Sequence, residues 1–425
     1  MSWTLFALAG AYWWTLVPTA LAIALATALL PPRIFTEQRR WLDAGLLCCV
    51  ACGLLQLVPL PIAWRALLSP HAGDFDRAIR FGQAAAPRTA PLSIAPAATL
   101  KAVGMAVLTV LTFWSARETA GRGALRTLLR PVAWSGLAVS VIAIFFRAVG
   151  AGLIYGIAPV ASNAVPYGPF VNPNHLGTWL ILALPLTCGY IVARVRRQAN
   201  GHSLAANVDA PMVWLLGSAG VMLMAAIISL SRSTAVGLGA GAVVGVACAV
   251  RRTPRAARWI AAAAVFAVAI ALWLPATMRL ASRFEKPEFT ETWARPQIWR
   301  ETVPIVRDFA LTGTGIGGYS TAMLVYQKTD RTLFFNQAHN QYLQFATDGG
   351  LMLLVPLIWT AFAFGLGVTL RLTSDLSPMF WIRAGAVAGI VGALVQSLWE
   401  TGLRMPANAV LFALVCAIAV ADEHR

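Results

Sequence analysis

"FFNQAHNQYLQFATDGGLMLLVPLIWTAFAFGLGVTL" occupies residues 334–370. Its second part is a run of about twenty residues without a charge, the length a helix needs to cross a hydrocarbon layer of about 30 Å. Its first part holds His339 among Gln337, Asn340, Gln341, Tyr342 and Gln344. The chain thus sets a dense polar cluster at the point where it enters oil, more polarity than anchoring at an interface requires.

Runs of the same kind recur, at about 3–29, 40–59, 97–115, 125–147, 171–193, 211–230, 233–250, 257–275, 341–370, 380–398 and 405–422. Of the 425 residues, 58% are hydrophobic and 12% charged, with a mean hydropathy of +0.69. A soluble protein of this size needs more charge to cover its surface. Alternating segments of about ten residues, the mark of a membrane barrel, are lacking. The sequence predicts an all-α polytopic membrane protein. Residues 3–29 read either as one span or as a tight helical hairpin broken near Trp13, Trp14 and Pro18; the hairpin gives about twelve transmembrane helices. The first run lacks a basic leader and reads as a retained span. The organisation expected is one integral membrane domain: N-terminal helices over 1–275, a large outer loop over 276–340 and C-terminal helices over 341–425.

The formal net charge is +16. Much of it sits in short connectors, "PPRIFTEQRR", "ARETAGRGALRTLLR", "ARVRRQANGH" and "RRTPRAAR". The positive-inside rule puts these in the cytoplasm and the segments 60–96, 148–170 and 276–340 on the other side. Charge so placed excludes nucleic acid as a partner and suits attraction of an anionic lipid substrate. Cys48, Cys49, Cys52, Cys188, Cys248 and Cys416 lie in apolar runs without metal-ligand spacing and read as small packing residues. No metal and no cofactor is expected.

Several polar groups do not fit a plain bundle. In "IISLSRSTAVGLGAG", Arg232 lies between two apolar runs with Ser229, Ser231 and Ser233 around it. It is either a turn residue reaching the interface or a cation on a substrate path, the usual meaning of a charge at this depth. In "YGPFVNPNHLGTWL", Pro173 fixes a turn, Asn172 and Asn174 can cap the following helix, and His175 sits in its first turn. That helix start is either only well capped or offers its N–H groups to an anion. The outer segment "ETWARPQIWRETVPIVRDFAL" has apolar residues at helical spacing and supplies Arg295, Arg300 and Arg307. Short amphipathic helices lying across the bundle are expected there. Spacings of five and seven keep the three arginines off a single face, so Arg300 and Arg307 read as solvated. "GTGIGG" matches G-x-G-x-x-G at Gly313, Gly315 and Gly318, but without a βαβ unit it reads as a glycine turn. Glu400 and Arg404 in "SLWETGLRMP" read as an ordinary i,i+4 ion pair.

By this topology Arg232, Asn172–His175, Arg295 and His339 gather near the outer face. Guanidinium forks suit phosphate oxygens, an imidazole suits activation of a hydroxyl, and apolar walls suit a lipid carrier. A glycan on a lipid diphosphate would bring its own leaving group. A transporter or flippase of such a lipid would also want outer arginines. It should carry polar groups in the cytoplasmic halves of its helices too, and these are mostly Ala, Val, Leu and Gly.

"SRSTAVG", "ARPQIW", "GTGIGGYS" and "AHNQYLQ", in this order and joined by "FVNPNHLG", resemble the signature of the O-antigen ligase/polymerase superfamily over about residues 165–400. The first 160 residues or so are similar only in hydropathy. The resemblance implies a GT-C-like glycosyltransferase of the Gram-negative inner membrane with its active site facing the periplasm, inverting and independent of metal and ATP. Its donor would be an O-antigen polysaccharide on undecaprenyl diphosphate, its acceptor lipid A–core. His339 matches the family's catalytic histidine, and Arg232 and Arg295 match the arginines that bind diphosphate. Asn172, Asn174, His175, Asn340, Arg300 and Arg404 are further substrate-binding candidates. A ligase is expected, with a polymerase as the alternative. The end of the chain at "VADEHR" soon after the last span speaks against the protein-glycosylating branch, which often carries an extra C-terminal domain.

Overall fold

Long apolar runs rich in Ala, Leu and Gly have one way to satisfy their backbone in oil, the helix. The computed structural model describes residues 1–422 except 80–87, 151, 157, 160–165, 199–208, 254–290, 330 and 332–333. It is an all-α membrane protein: seven helices among the described residues are long and apolar enough to cross a bilayer. They are α6 (Pro96–Gly121), α7 (Leu125–Val149), α8 (Pro173–Gln198), α9 (Ala210–Ile228), α10 (Arg232–Arg252), α13 (Gln341–Ser374) and α14 (Met379–Gln396). Two shorter apolar helices, α2 (Trp13–Leu29) and α15 (Pro406–Val420), accompany them. So do α1 (Ser2–Phe6), α3 (Arg40–Leu55), α4 (Ile62–Leu68), α5 (Ala72–Ile79), α11 (Glu291–Asp308) and α12 (Tyr319–Tyr326). Two short antiparallel pairings, Pro59–Pro61 with Thr89–Pro91 and Leu153–Ile154 with Ala158–Pro159, are the named sheets.

The expected hairpin over residues 3–29 does not form as two spans. The break falls at Ala7–Tyr12, before Trp13, where Leu8 and Ala9 have φ of 55° and 54°. The arm ahead of it is a helix of five residues, far too short to cross a bilayer. Pro18 lies inside α2 without ending it. The expected span at 257–275, and the outer loop before residue 291, fall outside the described residues.

Helices α8 and α14 form the buried centre, flanked by α10. Helices in oil gain little from hydrophobicity and associate by close backbone approach at small residues. A Cβ on Gly385 would lie 2.3 Å from the Pro185 carbonyl oxygen, and one on Gly237 2.9 Å from that of Gly392. On the outside, α13 turns Leu351, Val355, Ile358, Phe362, Leu366 and Leu370 outward, a stripe at helical spacing that suits lipid.

The two ends of the bundle differ. At one, α8 finishes in Arg196 and Arg197 and α10 in Arg251 and Arg252. There Arg117 grips Asp43 with two bonds of 2.8 and 3.0 Å, and the Trp114 indole donates to the same carboxylate at 2.8 Å, tying α6 to α3. At the other end start α8, α10 and α15, and there α14 finishes.

Candidate functional site

The second end holds a polar cluster built from five separate segments. Its centre is Glu400, just beyond α14 and 1% exposed. Arg295 of α11 pairs with its Oε1 through Nη2. Asn174 of α8 donates to the same oxygen at 2.6 Å. Nδ1 of His339 stands 3.9 Å from Oε2, and His339 is 26% exposed. Asn174 in turn accepts from Ser231 at 2.5 Å and from Ser233 at 3.4 Å, the two residues flanking Arg232. Gln396 locks the joint: it accepts from Thr178 at 2.7 Å and donates to the Asn174 carbonyl at 3.1 Å.

Each segment has a local reason for its course. Asn172 caps α8, its side chain accepting from the Asn174 N–H at 2.8 Å. Asn174, expected as a second cap, instead turns its side chain inward to Glu400. Ser231 caps α10 and so leaves Arg232 as the first helical residue, exposed and without an ion pair or hydrogen bond among the described residues. The His339 loop is clamped on both sides. Trp299 of α11 donates to the Ala338 carbonyl at 2.8 Å, and the Ala338 N–H reaches Gln344 at 2.9 Å. Asn340 caps α13 by accepting from Tyr342 and Leu343, each at 3.0 Å. Between these clamps His339 itself has φ +48°, a left-handed conformation that a non-glycine residue holds only when its surroundings force it.

The glycine turn supports this loop from behind. Gly313, Gly315 and Gly317 have φ of 68°, 98° and 87°. It is a packed turn, without a nucleotide-binding strand: Thr314 N–H donates to the Thr347 carbonyl at 2.8 Å. α13 breaks at Gly350, and the freed N–H groups of Leu351 and Met352 donate to the carbonyls of Ala310 and Leu311 at 2.8 and 2.9 Å. Gln56 sews turn to break, donating to the carbonyls of Thr312 and Asp348 at 2.7 and 3.0 Å. Behind the turn, burial pushes the Tyr319 phenol above its ordinary pKa, so it stays protonated in its 2.8 Å bond with Thr302.

Of the expected residues, Arg295, Asn174 and His339 meet on one carboxylate, and His175 lies within electrostatic reach of Glu400 and His339. Arg300 and Arg307 point outward from α11, exposed and unpaired among the described residues. Asn172 and Asn340 are occupied as caps. The expected Glu400–Arg404 ion pair does not form. The chain leaves α14 before Glu400 and re-coils as a 3-10 turn at Gly402–Arg404, so no α-turn links the two. Arg404 lies instead within electrostatic reach of Asp348, and its Nη1 is buried without a partner.

Glu400 is the residue that the sequence reading assigned to an ordinary ion pair. The signal was present: it is the only carboxylate between Asp375 and Asp422. Glu400 Oε2, His339 Nδ1 and Arg295 Nε are all buried without a hydrogen-bond partner among the described residues. Such atoms cost roughly 1–3 kcal/mol each and mark a centre that a ligand or a small closure completes. Beside it opens an apolar cleft of about 330 Å³ between α8, α9, α10 and α14. Ile227, Thr234, Leu238, Ala388 and Trp381 line it, from the site end to the arginine-rich end.

Fold and site together define a polytopic membrane protein with an ion-paired, imidazole-bearing centre at one end of its bundle, beside an apolar cleft. Residues 217–358 match the family model described as O-antigen ligase. The match, over part of the chain, supports its likeness to the superfamily of O-antigen ligases and polymerases. The matched stretch runs from α9 past the His339 loop into α13, and so contains Arg232, Arg295 and His339. None of the curated proteins compared with the chain matches it.

Proposed function

We propose that this chain is an O-antigen ligase: a metal- and ATP-independent inverting glycosyltransferase with a GT-C-like fold, working at the periplasmic face of a Gram-negative inner membrane. It moves O-antigen polysaccharide from undecaprenyl diphosphate to a sugar hydroxyl of lipid A–core. The observation that carries this reading is the meeting of Arg295 and His339 on buried Glu400, with Arg232, unpaired among the described residues, two positions before Thr234 in the lining of an apolar cleft.

In this mechanism the diphosphate lies against Arg232 and Arg295, and the first isoprene units enter the cleft along α10. Glu400 holds Arg295 in place and faces Nδ1 of His339, which directs the proton there and leaves Nε2 as the base, the logic by which a carboxylate orients a catalytic histidine. The acceptor hydroxyl gives its proton to Nε2 as its oxygen bonds to the anomeric carbon. The bond from that carbon to the phosphate oxygen breaks on the opposite face, and its electron pair leaves with the diphosphate, whose growing charge the arginines stabilise. One displacement inverts the anomeric configuration.

Reconstitution of the purified chain with lipid-linked glycan and two acceptors, lipid A–core and a second lipid-linked glycan, tests the reading. Product on lipid A–core is expected, and product only on the second glycan would make the chain a polymerase. His339→Ala is expected to abolish transfer while the protein still inserts and retains donor; transfer by this variant would remove His339 from the mechanism.

A further inference from the structure

A second pocket, of about 110 Å³, lies at the arginine-rich end, where α6 turns into α7 and α8 meets α14. Its rim carries Arg126, Arg194, Arg197 and Tyr190, and its floor is apolar, with Leu129, Ala193 and Ile382. It is separate from the site around Glu400: Asn174 lies in the first turn of α8 and this pocket on its last turns.

The charges here do not cancel among themselves. Asp422 is the carboxylate in the lining, and it is already engaged by Arg39 and Arg371. Arg194 pairs with Asp209. Arg126 and Arg197 are exposed and have no ion pair or hydrogen bond among the described residues. Leu125 and Arg126 are the first two residues of α7, which no side chain caps, so its free N–H groups and dipole add to the positive potential.

We infer that this pocket binds the phosphate of an anionic phospholipid. The chemistry recognised is a phosphate monoanion, held between Arg126, Arg197 and the start of α7. A lipid is the source because the floor is apolar and the pocket sits where membrane-spanning helices end, at the depth of headgroups. The lipid's acyl chains would then run down the outside of α7, where Trp134, Val141 and Phe145 are exposed.

The test uses the full chain in detergent, with Arg126→Ala/Arg197→Ala as the variant, and native mass spectrometry with phosphatidylglycerol or phosphatidylcholine added. The wild type is expected to retain phosphatidylglycerol at least tenfold better than phosphatidylcholine, and the variant to lose that preference. Equal retention of the two lipids by the wild type, or an unchanged preference in the variant, overturns the proposal. A thermal shift that inorganic phosphate alone matches in full would make the pocket a site for free anions and also overturn it. Should the double variant fail to fold, Arg126→Glu, at one exposed side chain, carries the same expected loss.

Discussion

At the scale of single residues, Glu400 carries the most consequence. A carboxylate this deep is tolerable only with a cation beside it, and Arg295 supplies one. Glu400→Gln keeps the shape and removes the charge. Transfer is expected to fall by about 10²–10³-fold, mostly in kcat, if orientation of the base is worth what general-base catalysis usually is. Glu400→Asp, which keeps the charge, is expected to retain more transfer than Glu400→Gln; equal loss in the two variants would show Glu400 to be structural only. The two arginines separate by burial. Arg232→Ala should weaken donor binding by roughly 1.5–3 kcal/mol and leave thermal stability unchanged, since Arg232 is exposed and, among the described residues, unpaired. Arg295→Ala should lose both, because Glu400 would be left buried and alone at a cost of about 3–5 kcal/mol. Scanning calorimetry beside a donor-binding assay distinguishes them.

At the scale of elements, the break in α13 positions the imidazole. Gly350 has φ 53° and ψ −156°, and a Cβ there would lie 2.6 Å from the Ala310 carbonyl oxygen. Gly350→Ala is expected to destabilise the protein by about 1–3 kcal/mol and to reduce transfer, read as a lower midpoint in thermal unfolding with a fall in rate. Seven of the expected spans, among the described residues, were legible because hydropathy is a local signal that each run carries alone. Arg295 and His339, which meet on Glu400, stood out as candidates because such groups are rare beside oil. The break was not legible, since its hydrogen bonds come from Ala310 and Leu311, some forty residues upstream. Glu400 was misread for a related reason. Pairing it with Arg404 presumes an unbroken helix, but the chain turns at Gly402, where a Cβ would meet the Thr178 hydroxyl at 2.1 Å. Contacts across the bundle, invisible in a single chain reading, decide both.

At the scale of the whole molecule, the asymmetry of the two ends predicts an orientation. Arginines crowd the end opposite Glu400, and that end belongs in the cytoplasm if the charge rule governs insertion. In a background without native cysteines, Arg300→Cys should react with an impermeant thiol reagent from outside intact spheroplasts, and Arg197→Cys only after permeabilisation. The reverse pattern would turn the site toward the cytosol and remove lipid A–core as acceptor.

The interruption at Gly350 also has a mechanical meaning. The 24 residues after it form a rod about 36 Å long that can lean to match a thicker or thinner bilayer. The short piece before it is bolted through Gln56 and the glycine turn to α3 and the outer helices. The first N–H groups of the rod are tied to Ala310 and Leu311, so a lean of the rod would pull on the segment just beyond α11, the helix whose Trp299 clamps the histidine loop.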